Sequence, residues 1–186
     1  MSYTVRPQTH ELKKARNVIE SALESCKYRL EKEKGLSINL GSSSDENYGA
    51  HGLATDSTNA QIYFNPDNSE WDQDLRKTAI SSYGSAWFYE NIENVGFVWQ
   101  ELLASATGLL LLEEVGEGRE IDREDLENEW RDRKDTLGNE LSFENQENFS
   151  WELKALIGKK LLEENELEDF PNMKLSDVRD AGNSVF

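Results

Sequence analysis

Lys77-Thr78-Ala79-Ile80-Ser81-Ser82-Tyr83-Gly84-Ser85-Ala86-Trp87-Phe88-Tyr89-Glu90 carries small residues through its centre and aromatic residues at its end. Together with the residues before it, the segment places Leu75, Ala79, Tyr83 and Ala86 three and four positions apart, the spacing of one helix face, so a helix is expected through Tyr89. Asn68 or Ser69 can cap its start, and Glu70, Asp72 and Asp74 suit the positive end of the helix dipole. Within such a helix Ser81 and Ser85 stand one turn apart and share a face, with Ser82 between them.

Upstream, Leu12, Val18, Ile19, Ala22, Leu23, Cys26 and Leu30 recur at helical spacing from Thr9 to Lys34, and Gly35 is placed to stop that helix. Leu36 to Leu40 alternates as a short strand, followed by a polar turn over Gly41 to Asp45. Gly49 to Asn59 is rich in small residues. Ala60-Gln61-Ile62-Tyr63-Phe64 reads as a strand stopped by Asn65-Pro66-Asp67. Downstream, a helix is expected from Val98 through Leu112, apolar on nearly every side between Leu102 and Leu112 and hence enclosed by neighbours, with Gly116 and Gly118 ending it. Helices are also expected near Asp122 to Lys134, Asn148 to Asn165 and Lys174 to Ala181, with a turn at Gly138-Asn139. The expectation is a mainly helical α+β fold with a small sheet, in a single domain over residues 1–186.

The formal charge of −17, from 37 acidic and 20 basic residues, repels nucleic acid phosphates and anionic membrane surfaces, so neither is expected as a partner. The acidic excess runs from Glu11 to Asp180 rather than in a tail, and resembles the solvated surfaces of proteins from salt-loving microbes. One cysteine, Cys26, cannot form an internal disulfide and reads as a small buried apolar group. Met1 to Glu11 lacks an apolar targeting core, and Leu109 to Leu112, the longest leucine run, is far short of the roughly 20 residues of a membrane span. A soluble, cytoplasmic protein is expected.

A zinc protease needs two histidines one helical turn apart, facing one metal, and a glutamate between them that deprotonates the bound water. Here Ser81-Ser82-Tyr83-Gly84-Ser85 occupies that pattern, and the next helix presents Ser105 where a third ligand would fall. With the strand Ala60 to Phe64, the Trp71-to-Thr78 lead-in and the aromatic end Trp87 to Glu90, the chain from Val18 to Glu114 resembles the predicted zinc-dependent proteases of the gluzincin type. Leu153 to Leu162 looks like that family's closing helix. The resemblance implies a zincin-like fold in which Ser81 and Ser85 stand at the former histidine positions, Ser82 at the general base and Ser105 at the glutamate ligand. It also implies that Ala60, Gln61, Ile62, Tyr63 and Phe64 form the cleft edge where an extended peptide could pair.

The family's cofactor is zinc; none is expected here. A hydroxyl is neutral, poorly basic and a weak zinc ligand, so the donors that lower the pKa of bound water to about 7 are missing. Ser82 cannot serve as general base, its pKa being far from neutrality. Four serines at four such positions fit selection for a small polar cavity or deliberate substitution in an active parent. Nucleophilic hydrolysis by a serine would need a base, and the chain has only His10 and His51 and no Gly-x-Ser-x-Gly elbow. Lys77 reads as a surface charge, His10 as an exposed residue near a helix start, and His51 as a loop histidine. Trp87, Phe88, Tyr89, Phe97 and Trp99 read as core rather than a groove. Glu120 to Glu129 lacks the ligand spacing of a calcium loop and reads as a solvated helix face. The functional expectation is a catalytically degenerate metalloprotease-like protein that keeps a cleft for a peptide or protein. The alternatives are an inactivated variant of an endopeptidase and a structural pseudoenzyme without a ligand.

Overall fold

Ten segments of regular structure follow one another in the computed structural model, which describes residues 10–44, 48–92, 97–118, 120–135 and 149–186. They are α1 (His10–Lys27), β1 (Ser37–Ser42), β2 (Ala50–Ala54), β3 (Asn59–Phe64), α2 (Trp71–Asn91), α3 (Phe97–Glu114), α4 (Arg123–Arg133), α5 (Trp151–Glu164), a 3₁₀ turn (Leu167–Asn172) and α6 (Leu175–Val185). The mainly helical α+β class is as expected. The expected turn at Gly138-Asn139, together with Asp45 and Gly96, lies outside the described residues.

Contacts concentrate in two compact units, one within Met1–Asn91 and Gly108–Arg119, the other within Ile92–Thr107 and Glu120–Phe186. In the first, β3 is the middle strand of the sheet, parallel to β1 and antiparallel to β2. Its side chains alternate: Ala60, Ile62 and Phe64 are buried, whereas Tyr63 is 39% exposed. That two-residue period turns one face of the sheet to the core. Ala15, Ile19, Ala22, Leu23 and Cys26 of α1 and Leu75, Ala79, Ile80 and Tyr83 of α2 supply the rest of that core. Cys26 is fully enclosed, its thiol donates to the Ala22 carbonyl at 3.3 Å, and burial pushes its pKa up to about 12. It is the buried apolar group expected.

The first helix stops at Lys27 rather than at Lys34. The Arg29 and Leu30 N–H groups both turn back to the Cys26 carbonyl (2.9 and 3.0 Å), and the carbonyls beyond are used by α2. Tyr83 Oη donates to Leu30 O at 2.9 Å, and Trp87 Nε1 to Glu31 O at 3.0 Å. Lys32 closes this connection, donating to Ser57 O at 2.7 Å and pairing with Glu90. Backbone groups committed to a distant helix cannot continue a local one.

Helix α2 starts at Trp71, after a turn in which Asn68 Oδ1 accepts from Glu70 N–H at 2.9 Å. At the end of α3, Glu117 N–H reaches Leu112 O (2.9 Å) and Gly116 N–H reaches Glu113 O (3.1 Å), with Gly116 at φ +75°. This is a Schellman closure, whose left-handed position favours glycine.

In the second unit Asp122 caps α4 by accepting from Glu124 and Asp125 N–H, and Ser150 caps α5 by accepting from Leu153 N–H. Ser150 also donates through its N–H and hydroxyl to Glu129 (2.7 and 2.6 Å). Leu126, Trp130, Leu153, Ile157, Leu161, Phe170, Val178 and Ala181 are buried, and Trp130 Nε1 donates to Asn183 Oδ1 at 3.2 Å. The outer face of α4 (Arg123, Glu124, Asp125, Glu127 and Asn128) is exposed, as expected of a solvated acidic helix.

Candidate functional site

The helix expected at the centre of the chain forms, and its middle is enclosed on all sides: every residue from Thr78 to Ala86 is buried. Ser81 is 4% exposed, Ser82 1% and Ser85 6%. Three of the four singled-out serines thus lie in the interior of the first unit, because α2 is enclosed all round at this point. Ser105 is also buried, at 7% exposure, on the part of α3 that belongs to the second unit.

The three serines of α2 differ in how their surroundings use them. Ser81 Oγ donates back to the Thr78 carbonyl at 3.1 Å, a local bond typical of helical serine. The backbone at Ser81 lies against α3 at Gly108, where a Cβ would fall 2.7 Å from the Ser81 carbonyl oxygen. Ser82 Oγ is buried with no hydrogen-bond partner among the described residues. Such an orphaned hydroxyl costs about 1–3 kcal/mol in lost hydration.

Zinc does not fit this donor set. The groups at these positions are neutral hydroxyls, and among the described residues no cluster of three or more His, Cys, Asp or Glu could hold a metal ion. No hydrolytic step is assigned to the serines.

The sheet corrects two expectations. Ala60, Gln61, Ile62, Tyr63 and Phe64 are not a cleft edge: β3 is hydrogen-bonded on one side to β1 over Ser37–Ser42 and on the other to β2 over Ala50–Ala54. Its backbone groups are taken, so no further strand can add there. His51 is not a loop residue but lies in β2. Its ring stacks on Tyr63 (centroids 5.6 Å apart, planes at 23°) and meets Tyr48 edge-on at 6.1 Å. Its Nδ1 is buried without a partner among the described residues.

The strand that borders α2 is β2. Gly49 N–H, just before it, donates to Asp74 Oδ2 at 3.0 Å, and the Thr78 hydroxyl reaches Ala50 O at 3.5 Å. Two bonds flank the β2–β3 ladder, Asn65 N–H to Gly49 O and Thr55 N–H to Asn59 O, both 2.9 Å. By the alternation of an antiparallel pair, odd-numbered β2 residues bond to β3, and the backbone groups of Gly52 and Ala54 turn the other way. Gly52 is itself demanded by close approach: a Cβ there would lie 2.2 Å from Gln61 O, at φ +156°.

Of the remaining candidates, His10 is exposed at the start of α1, as expected, and Lys77 is half-buried. Phe88 and Trp99 are buried, which fits core aromatics, while Trp87 and Tyr89 are half-buried. A shallow groove of about 420 Å³ lies elsewhere on the first unit, lined by Lys14, Asp72 and Arg76 among others. Its charges are matched, Lys14 with Asp72 at 2.9 Å and Arg76 with Glu117 at 2.6 Å. Its lining does not include Ser81, Ser82, Ser85 or Ser105. Among the described residues no helix is long and apolar enough to cross a membrane.

The β2 edge and the Tyr48–His51–Tyr63 cluster were missed in the sequence because Ala50-His51-Gly52-Leu53-Ala54 has neither β-branched residues nor a clear alternation. The one available signal was the spacing of His51 and Leu53, two positions apart. No family model, curated protein or solved structure matches the chain.

Proposed function

We propose that the chain is a catalytically degenerate, metalloprotease-like protein of gluzincin type that binds a peptide or protein segment without cutting it. The observation that carries this reading is the fully interior Ser81-Ser82-Tyr83-Gly84-Ser85 turn, with a hydroxyl at Ser82 that has no hydrogen-bond partner among the described residues. A helix evolved only for packing would favour alanine at such a position, because an unpaired buried hydroxyl is a net cost. Polar side chains at these spacings are what remains when imidazoles and a carboxylate are replaced by the smallest polar group.

Binding survives such a loss because strand addition uses backbone N–H and C=O groups and no metal. The edge suited to it is β2, which borders the helix that carries the serines and turns Gly52 and Ala54 outward. The acidic composition belongs to the same proposal: a soluble, cytoplasmic protein of halophilic type, with no nucleic acid partner.

Incubation of the purified protein with a mixed peptide library, with and without a chelator, tests the reading. Retention of library peptides with no cleavage in either arm is expected. Chelator-sensitive cleavage would identify an active enzyme instead, and neither binding nor cleavage would favour a structural protein without a ligand.

A further inference from the structure

The three strands contain no Asp, Glu, Lys or Arg, in a chain where such residues make up 31%. Natural sheet edges are usually guarded by charge, proline or a bulge, because an unguarded edge invites another strand. The edge strand β2 carries none of these charges and no proline, and the bonds that α2 makes to it fall at its start, on Gly49 N–H and Ala50 O. It instead presents Leu53 at 55% exposure.

Register makes this a surface rather than a single residue. Gly41, Tyr63 and His51 stand in one row across the three strands, and Asn39, Gln61 and Leu53 in the next. Gly41 leaves bare backbone under Tyr63: a Cβ there would lie 2.5 Å from Cδ1 of the ring. The Tyr63 ring therefore lies across β1, His51 stacks beside it, and Tyr48 (49% exposed) extends the row past the end of β2. Three of the five large hydrophobic residues the described chain leaves exposed, Tyr48, Leu53 and Tyr63, lie on or beside this face, whose strand residues carry no Asp, Glu, Lys or Arg. Contiguous apolar exposure of that kind marks a surface that something covers.

We infer that the segment bound along β2 is an extended peptide with apolar side chains at alternate positions, resting on Leu53, His51 and Tyr48, and with neutral or basic flanks. This rests on the strand-addition reading above and names its ligand. Alternation follows from strand geometry, since every second side chain of an added strand stands on the outer face beside β2. The flanks follow from charge: a chain of net charge −17 repels an acidic segment and repels a second copy of itself.

The test uses the full chain and a labelled nine-residue peptide of alternating Leu and Thr with lysine at both ends, read by fluorescence anisotropy. Two comparison peptides accompany it, one of the same composition with its leucines in a block, the other N-methylated at alternate backbone nitrogens. Leu53→Asp and Tyr48→Asp, both at exposed positions, serve as variants, with circular dichroism as the folding check. The expected result is binding that N-methylation abolishes and that the blocked isomer and each variant weaken about tenfold or more. Binding that is lost on N-methylation but indifferent to both the blocked isomer and the variants would overturn the inference and leave strand addition standing. Absence of binding to any of the peptides would overturn both. A wild-type dimer that Leu53→Asp dissolves would replace the peptide with a second copy.

Discussion

The carbonyl oxygen of Ser81 would lie 2.7 Å from a Cβ placed on Gly108, so α2 and α3 meet there backbone to backbone within the first unit. The contact is rigid on both sides, because it involves helix backbone rather than the tip of a side chain. Gly108→Ala must push the helices apart and is expected to destabilise the protein by about 1–3 kcal/mol, the usual cost of overpacking, despite the higher helix propensity of alanine. Urea unfolding of the variant beside wild type reads the difference.

Ser82 offers the opposite sign. Its hydroxyl is 1% exposed and unpartnered among the described residues, so removing it relieves a desolvation cost and breaks no hydrogen bond. Ser82→Ala is expected to raise stability by about 1 kcal/mol, aided by helix propensity. A loss of stability in the same unfolding measurement would mean the hydroxyl is held by a buried water.

Lys32 and Glu90 form an ion pair whose side chains are 0% and 6% exposed, tying the connection after α1 to the end of α2. Glu90 Oε1 also accepts from Lys34 N–H at 2.7 Å. Burial pushes the Glu90 carboxyl up, but the hydrogen bonds from Lys32 and from the Lys34 N–H outweigh it and hold the pKa below the ordinary carboxylate range. The unfolded chain then binds a proton more readily at this site than the folded one. The stabilisation is present above the unfolded value of about 4.3 and is lost as pH falls through the folded value. Lys32→Ala leaves the buried carboxylate without its cation, held only by the Lys34 N–H, with an expected cost of about 3 kcal/mol at neutral pH. Unfolding curves from pH 7 to pH 3 should show the gap between this variant and wild type narrowing toward the acid end.

The sequence made the helices legible where their signals are local. Gly116 closes α3 as its residue type suggests, and Asn68 holds the turn that leads into α2. The end of α1 was not legible, because what stops it is Tyr83 and Trp87, 53 and 56 residues away from the carbonyls they hold. Sheet order was hidden for the same reason: nothing in Ala60 to Phe64 announces that a parallel β1 and an antiparallel β2 flank it. The 3₁₀ turn at Leu167–Asn172 was also not read from the sequence. Of the candidate site, the shared face of Ser81 and Ser85 could be read from spacing, but not their burial, since neighbours enclose every side of α2 from Thr78 to Ala86. Nor could the backbone approach at Gly108.

Charge gives a prediction independent of any site. With −17 spread along the chain, self-repulsion opposes the folded state at low ionic strength, and added salt screens it over about 3 Å at 1 M against about 30 Å at 0.01 M. The melting temperature is expected to rise from dilute buffer to molar sodium chloride. A melting temperature that falls or stays level across that range would remove the halophilic reading of the composition.

The most direct test of the proposed metalloprotease-like reading is zinc stoichiometry, measured side by side on the wild-type chain and on the combined variant Ser81→His, Ser82→Glu, Ser85→His, Ser105→Glu. After dialysis against zinc and then buffer, elemental analysis of the folded proteins is expected to find none in the wild type and one zinc per chain in the variant. A wild-type chain that retains stoichiometric zinc, or a folded variant that takes up none, would contradict the account.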